Sequence, residues 1–135
     1  MVDSTNVITG VGLTKFQMVS VQRSIWVKFE VIGFHCYPDA PEQVAYLRER
    51  HRHKFGFTVS MPVTHNEREV EFHMLQSECI ALYANGQLEA DGKSCETLAA
   101  ELAGMLISKY KRSITVEVNE DGECGAVVTH TLVGG

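Results

Sequence analysis

Alternation of apolar and polar residues predicts two long strands in the first half of the chain. Over 24–33, Ile25, Val27, Phe29 and Val31 occupy every second position and share one face, and His35 falls in the same phase just beyond. Residues 53–63 alternate in the same way, and His51 and His53 share their apolar phase. Because side chains alternate between the two faces of a strand, we expect each histidine on the apolar face of its strand.

Helical spacing replaces this two-residue period in the middle of the chain. A first helix, which stops at Asn85-Gly86, is predicted from the apolar positions Phe72, Leu75, Cys79, Leu82 and Tyr83. A polar loop follows, and Ser94 is a good N-cap for a second helix. The basic end of that helix, 109–112, suits the helix dipole. Its apolar stripe consists of Leu98, Leu102, Met105 and Leu106.

Two more strands are predicted after the second helix. Residues 114–118 alternate, Glu120 continues their apolar face, and Asp121-Gly122 predicts a turn into a partner strand over 123–133. The order of strand, strand, helix, helix, strand, strand predicts an α+β fold. In this fold a sheet of antiparallel hairpins carries both helices on one face.

Length and composition limit the class of protein. A chain of 135 residues predicts one domain, which we assign to 23–135, with 1–22 as an N-terminal arm or extra hairpin. No apolar run approaches the roughly 20 residues that span a bilayer, and no signal-peptide pattern occurs, so we expect a cytoplasmic protein with no membrane partner. The net charge of −5 argues against nucleic acid. We interpret the basic cluster at 48–54 as solvated rather than phosphate-binding.

The cysteines give no sign of a covalent framework. Cys36, Cys79, Cys95 and Cys124 are scattered, without a CxxC pair. This spacing indicates reduced thiols rather than disulfides or a four-thiolate zinc site. Cys36 can be either a small buried hydrophobe or a reactive thiol.

His35, His51 and His53 have the pattern of a metal site. Same-face residues on a strand lie roughly 7 Å apart at Cα, close enough for two imidazoles to bind one ion. Three neutral ligands leave the fourth position of zinc open, as in catalytic or ligand-binding sites. The alternative is that these are hydrogen-bonded histidines near strand ends. The histidines interpreted as surface or loop residues are His65, His73 and His130.

Glu120 is the second unusual position. A carboxylate on an apolar strand face needs hydrogen-bond donors, because an unpaired buried charge is costly. The adjacent N–H groups of a pterin or guanine ring can satisfy both of its oxygens. The alternative is that the strand ends at Val118 and that Glu120 belongs to a solvated turn.

Three motifs occur in a fixed order over roughly residues 24–130. They are His35 with His51-Arg52-His53, the segment KSCETLAAELAGML, and the segment ITVEVNE. Together they resemble the tunnelling-fold family of the 6-pyruvoyl- and 6-carboxy-tetrahydropterin synthases. The first is similar to the zinc histidine and HGH motif of that family, with Arg52 in place of glycine. The second resembles its PTAENLA helix start, with Glu96 in register, and the third its closing VxVxE, with Glu120 at the pterin-anchoring glutamate.

The resemblance implies both an architecture and a ligand set. The expected subunit is ββααββ, and its sheets close into a homo-oligomeric barrel, trimer-based, tetrameric or hexameric, with sites between subunits. The resemblance implies Zn²⁺ held by His35, His51 and His53. It also implies a pterin- or purine-like small molecule bound by Glu120 and Glu96.

The catalytic groups of the family are matched only in part. Its usual cysteine stands four residues before the HxH pair, where this chain has Leu47, and its Asp-His relay is missing from ALYANGQLEADGKS. The base would then be Cys36, Glu96 or a hydroxide on the metal. Cys36 alternates away from His35 on an ideal strand, so only a turn would bring it into the site.

These observations leave two main functions open. The first is a divergent zinc-dependent enzyme, a carbon-oxygen lyase of the tetrahydropterin synthase type, acting on a pterin or on a 7-deazaguanine (queuosine) precursor. The second is a catalytically inactive protein that binds or sequesters a pterin- or purine-like molecule, since binding requires complementarity to the ground state alone. A third reading is a small α+β interaction domain.

Overall fold

Seven strands and two α-helices make up the described part of the chain. The computed structural model describes residues 5–7, 17–83 and 87–134. The elements in chain order are β1 (Thr5–Val7), β2 (Met18–Ser20), β3 (Arg23–His35), a 3₁₀ helix (Glu42–Leu47), β4 (His51–Val63), α1 (Phe72–Ala81), β5 (Gln87–Asp91), α2 (Cys95–Tyr110), β6 (Ile114–Glu120) and β7 (Cys124–His130). No helix in the described part of the chain is long and apolar enough to cross a membrane.

The main sheet has the order β5-β3-β4-β6-β7. The β3–β4 and β6–β7 pairs are antiparallel, as predicted, and the β4–β6 pair that joins them is also antiparallel. The polar loop predicted before α2 is wrong, because Gln87–Asp91 forms β5, which pairs parallel to the end of β3 and makes the sheet mixed. Only Leu88 and Ala90 of β5 turn towards the core, too few to give a period in the sequence.

A short ladder lies before the main sheet. β1 and β2 pair antiparallel, with Asn6 opposite Val19. The arm or hairpin predicted over 1–22 includes residues 1–4 and 8–16, which lie outside the described residues. The division at residue 23 stays a prediction.

The core lies on one face of the main sheet, and both helices cover that face, as predicted. α1 contacts β3, and α2 contacts β6 and β7. At the centre, the rings of Phe29 and Phe57 stack with centroids 4.8 Å apart and planes 5° apart. Tyr83 packs against both rings, and burial raises its pKa to about 12.

The second helix begins where the sequence predicts, and it buries Leu98, Leu102 and Leu106 of the predicted stripe but not Met105. Ser94 Oγ accepts a hydrogen bond from Thr97 N and caps the helix. Met105 was predicted in the apolar stripe, yet it is 47% exposed. The buried positions include Ala99 and Ala103 instead, because small side chains let the helix approach the sheet closely.

The first helix is shorter than its apolar pattern suggests. The Glu71 side chain accepts hydrogen bonds from the N–H groups of His73 and Met74, and the helix runs from Phe72 to Ala81. Leu75 and Cys79 are buried, whereas Phe72 is 47% exposed. The predicted stop at Asn85-Gly86 lies outside the described residues.

An ion pair joins the loop between β4 and α1 to Arg112, the second residue after α2. Arg112 donates to both carboxylate oxygens of Glu69, at 2.9 and 2.7 Å, and to the carbonyl of Pro62 at 3.1 Å. Thr64 N also donates to Glu69. The hydrogen bond from Arg112, chiefly, lowers the pKa of Glu69 to about 2.

This depressed pKa makes the stability contribution of Glu69 dependent on pH. A carboxylate whose pKa falls on folding stabilises the protein above its unfolded-state pKa, and this stability is lost as pH falls through the folded-state value. We expect Glu69→Gln to cost about 1–2 kcal/mol near pH 7, a figure reduced because the pair is partly solvated. The cost should disappear between pH 4.5 and about 2. Urea unfolding at a series of pH values measures it, with the exposed Glu67→Gln as control. A cost that persists at pH 2 would contradict the assignment.

Candidate metal centre

Three histidines meet at one end of the central strand pair. The register of β3 and β4 sets His35 opposite His51 and Gly33 opposite His53. The three ring centroids lie 4.5 to 5.1 Å apart. The buried ring of Phe55 lies 5.2 Å from His35 and 5.7 Å from His53. A Cβ on Gly33 would lie 2.6 Å from this ring, so the glycine leaves room for the ring beneath the histidines.

Each imidazole is held through its Nδ1 atom. His35 Nδ1 lies 3.2 Å from the carbonyl oxygen of Lys93, and His51 Nδ1 lies 2.8 Å from the carbonyl oxygen two residues before it. His53 Nδ1 lies 2.7 Å from Asp121 Oδ2. Carbonyl and carboxylate oxygens accept hydrogen bonds, so each Nδ1 carries a proton and each Nε2 of a neutral ring keeps its lone pair. Partners of this kind orient the histidine ligands of metals.

The remaining ring nitrogens share one space. One potential ligand atom from each of the three histidines lies within 4.8 Å of the other two. His51 Nε2 and His53 Nε2 are buried and have no hydrogen-bond partner within the described residues. A buried nitrogen without a partner is costly, and a zinc ion bound to nitrogen at roughly 2.1 Å would satisfy it. Across residues 5–7, 17–83 and 87–134, no second group of His, Cys, Asp and Glu has this geometry.

Two consecutive carboxylates lie against the histidines. Glu120 Oε2 is 3.0 Å from His35 Nε2 and 3.6 Å from His53 Nε2, and the Glu120 side chain is 24% exposed. β6 extends through Glu120, so the alternative that the strand ends at Val118 is wrong. Asp121 follows at φ 57° and accepts a hydrogen bond from the backbone N–H of Lys54 at 2.8 Å.

The environment favours the ligand forms of these groups. Burial lowers the pKa of His35, although the carbonyl of Lys93 and the carboxylate of Glu120 act in the opposite direction. The N–H of Lys54 and then the His53 ring lower the pKa of Asp121. A neutral imidazole supported by an ionised carboxylate is the state in which histidine binds a metal.

A pocket of about 490 Å³ opens beside the histidines. Its size falls within the roughly 300 to 1,000 Å³ of small-molecule sites. Five of the predicted site residues line it, namely His35, Cys36, His51, Glu96 and Glu120. Cys36 is the first residue after β3, where its backbone N–H donates to the carbonyl oxygen of Asp91 at 2.7 Å, and it lies in the pocket wall.

Several residues of this site were missed in the sequence. Asp121 holds His53, and Cys95 and Cys124 line the pocket. Burial, with the nearby Glu120 carboxylate, raises the pKa of the Cys95 thiol to about 12, so it stays protonated. In the sequence, Asp121-Gly122 predicts a turn, and only the position of Asp121 directly after Glu120 links it to the site. The cysteines came together by folding and remain free thiols.

Other polar residues considered in the sequence lie outside the site. His65 and His73 are exposed, and His130 is half-buried on β7. In the basic cluster, Arg50 pairs with Glu89 and lies 3.9 Å over the Phe34 ring. This pairing fits the interpretation of a solvated cluster.

Comparison with known proteins bears on the fold. No protein-family model matches the sequence, and no curated protein matches it. Among solved structures, the chain is similar to a 6-pyruvoyltetrahydropterin synthase from Plasmodium vivax, a catalytic-residue mutant in which cysteine replaces glutamate. The TM-score is 0.61, over 83% of this chain and 99% of that chain, at 11% identity. This likeness confirms the predicted fold at the level of an α+β subunit like that of a 6-pyruvoyltetrahydropterin synthase.

Proposed function

We propose that this protein is a divergent, zinc-dependent member of the tetrahydropterin synthase type that acts on a pterin or on a 7-deazaguanine precursor. The observation that carries the proposal is the convergence of His35, His51 and His53, each held at Nδ1 with an inner nitrogen directed at a shared space. Imidazole nitrogens in a tetrahedral set suit zinc best among the common ions. Bound there, zinc would polarise an oxygen of the substrate side chain as a Lewis acid.

The pocket beside the centre supports a bicyclic, nitrogen-rich ligand. Glu120 contacts two of the histidines and also lines the pocket, where its carboxylate can accept hydrogen bonds from adjacent ring N–H groups. Glu96, in the first turn of α2, offers a second carboxylate at the pocket wall. A neutral heterocycle with several N–H donors complements these two acceptors better than an acidic ligand does.

A proton acceptor for turnover is available in the same wall. The similar synthase has a glutamate as its catalytic residue by its description, which supports a carboxylate in this role on this fold. Glu96 is therefore the first candidate for the base and Cys36 the second, since both line the pocket. If Glu96→Gln binds the ligand but no longer converts it, and Cys36→Ala still converts it, then Glu96 is the base.

The second candidate function is a binding or sequestering protein on the same fold. Its support is Leu47, which lines the pocket at the position of the family's usual cysteine. The Cys95 thiol stays protonated, so it does not replace that thiolate. Under this alternative the metal and Glu120 hold a pterin- or purine-like molecule without converting it.

We also propose that the protein is a homo-oligomer with its sites near subunit boundaries. β7 pairs with β6 on one side, and within the described residues its other edge has no partner strand. Cys124 and Gly125 of this edge strand line the pocket. A neighbouring subunit at that edge would both extend the sheet and close the pocket.

Zinc content and pterin binding test the proposal together. Elemental analysis and native mass spectrometry of the purified protein should give about one zinc per chain in a symmetric oligomer. Calorimetric titration with neopterin should then show binding to the wild-type protein, and Leu47→Trp should abolish this binding because the larger side chain fills the pocket.

The matched control is Tyr46→Trp, because the Tyr46 side chain is 75% exposed and lies outside the pocket wall. A metal-free protein, or equal binding by both variants, would refute the proposal. Incubation with a dihydropterin, followed by chromatography, distinguishes the two candidate functions, because only an enzyme would convert the dihydropterin to a product.

A further inference from the structure

Glu120 has an unusual set of neighbours for a strand-end carboxylate. Its Oε2 atom lies 3.0 Å from His35 Nε2 and 3.6 Å from His53 Nε2. Within the described residues, its ion-pair contacts are with these two histidines and with no lysine or arginine. The carboxylate therefore faces the nitrogens that converge on the proposed metal.

We infer that Glu120 is the fourth ligand of the metal, so that the resting site is a closed His₃Glu set rather than an open three-histidine set. Two atoms bound to one tetrahedral zinc at about 2.0–2.1 Å lie roughly 3.3 Å apart. The two distances from Glu120 Oε2, 3.0 and 3.6 Å, lie on either side of this value. The inference rests on the metal site of the proposed function and adds a ligand to it.

Hydrogen bonding supports the same assignment. Nδ1 of His35 and of His53 faces an oxygen that only accepts, so Nε2 of each neutral ring presents a lone pair to Glu120. The lone pair of a neutral ring and a carboxylate at these distances repel one another, and a cation between them makes the contact favourable. A divalent ion makes all of these contacts favourable at once, and the carboxylate reduces the net charge of the centre from +2 to +1.

A metal held by His35, His51, His53 and Glu120 would have no open position for a substrate. Four protein ligands are typical of structural zinc sites, and three of catalytic ones. With Glu120 as the fourth ligand, a tetrahedral metal would have a position for a substrate oxygen only in place of Glu120. A ring with N–H donors in the adjoining pocket offers Glu120 alternative partners, so ligand binding and opening of the metal site are coupled.

Azide binding to the cobalt-loaded protein tests whether Glu120 is a ligand of the metal. Cobalt(II) reports its coordination by visible absorption, and azide binds where a position is open. We expect the wild-type spectrum to stay unchanged at azide concentrations that saturate Glu120→Ala, a difference of at least tenfold in apparent Kd. Zinc affinity, measured by competition with a chromogenic chelator, should fall at least tenfold in Glu120→Ala and in Glu120→Gln. Glu117→Ala, an exposed carboxylate on the opposite face of β6, is the matched control and should behave as wild type.

The possible failures are distinguishable. Equal azide affinity in wild type and Glu120→Ala, with zinc affinity unchanged, would leave the three-histidine site intact and overturn the role of Glu120. A wild-type protein that binds neither cobalt nor zinc would overturn the proposed function and this inference together. Circular dichroism checks that both Glu120 variants fold, and the Gln variant, which keeps the size of the side chain, decides the question if the Ala variant does not.

Discussion

The His53→Ala variant is expected to lose its zinc while it keeps its fold. Removal of one ligand takes away a metal bond and leaves two histidines. The loss of affinity should therefore exceed the roughly 10–100-fold that follows loss of a second-shell partner. Asp121 loses its partner ring in this variant but keeps its hydrogen bond from Lys54, so the β6–β7 turn remains held.

Elemental analysis and thermal unfolding measure this outcome. A ligand present at 100 times its Kd adds about 2.7 kcal/mol to stability, so a chelator should lower the Tm of the wild type. The same chelator should not change the Tm of His53→Ala. His73→Ala, an exposed histidine on α1, is the control and should keep both the metal and the chelator response. Full zinc content in His53→Ala would refute the three-histidine centre.

The Phe57→Ala variant is expected to lose a large part of the stability of the domain. Phe57 is 1% exposed, stacks on Phe29 and packs against Tyr83 at 5.0 Å between ring centroids. Truncation of a buried phenylalanine removes its transfer free energy and leaves a cavity, at a cost of about 3–5 kcal/mol. Domains of this size are stable by about 5–15 kcal/mol, so the loss is a substantial fraction of the total, and the variant should unfold at a markedly lower urea concentration.

Urea unfolding measures the free energy of unfolding of Phe57→Ala and of a control variant, Thr58→Ala, whose side chain lies on the other face of the same strand. Thr58→Ala changes a half-buried side chain outside the core and should cost less than about 1 kcal/mol. The slope of free energy against urea should stay unchanged in both variants if unfolding remains two-state. Equal losses in Phe57→Ala and Thr58→Ala would mean that the stacked rings are not the centre of the core.

The features of the candidate site that depend on local geometry could be predicted from the sequence. Period-two alternation places His51 and His53 on the core face of one strand, because successive side chains point to opposite faces. The phase of the preceding strand does the same for His35. The N-cap at Ser94 and the strand position of Glu120 follow from equally local rules.

Other parts of the site depend on contacts between distant segments. β5 has too few apolar residues for a recognisable period, and it forms because the edge of β3 offers backbone partners to Gln87–Asp91. Asp121 supports His53 across 68 residues of chain. Cys36, Cys95 and Cys124 meet at one pocket, although their spacing carries no motif.

The sequence by itself therefore determined the class of fold, the faces of the long strands and the three histidines that share them. Hydrophobic periodicity and side-chain direction act within a few residues, so these features can be read from the chain. Tertiary structure alone decided the register that sets His35 opposite His51, the oxygens that hold each Nδ1, and the contact of Glu120 with the histidines. These depend on packing and strand pairing between remote segments, for which the local pattern contains no signal.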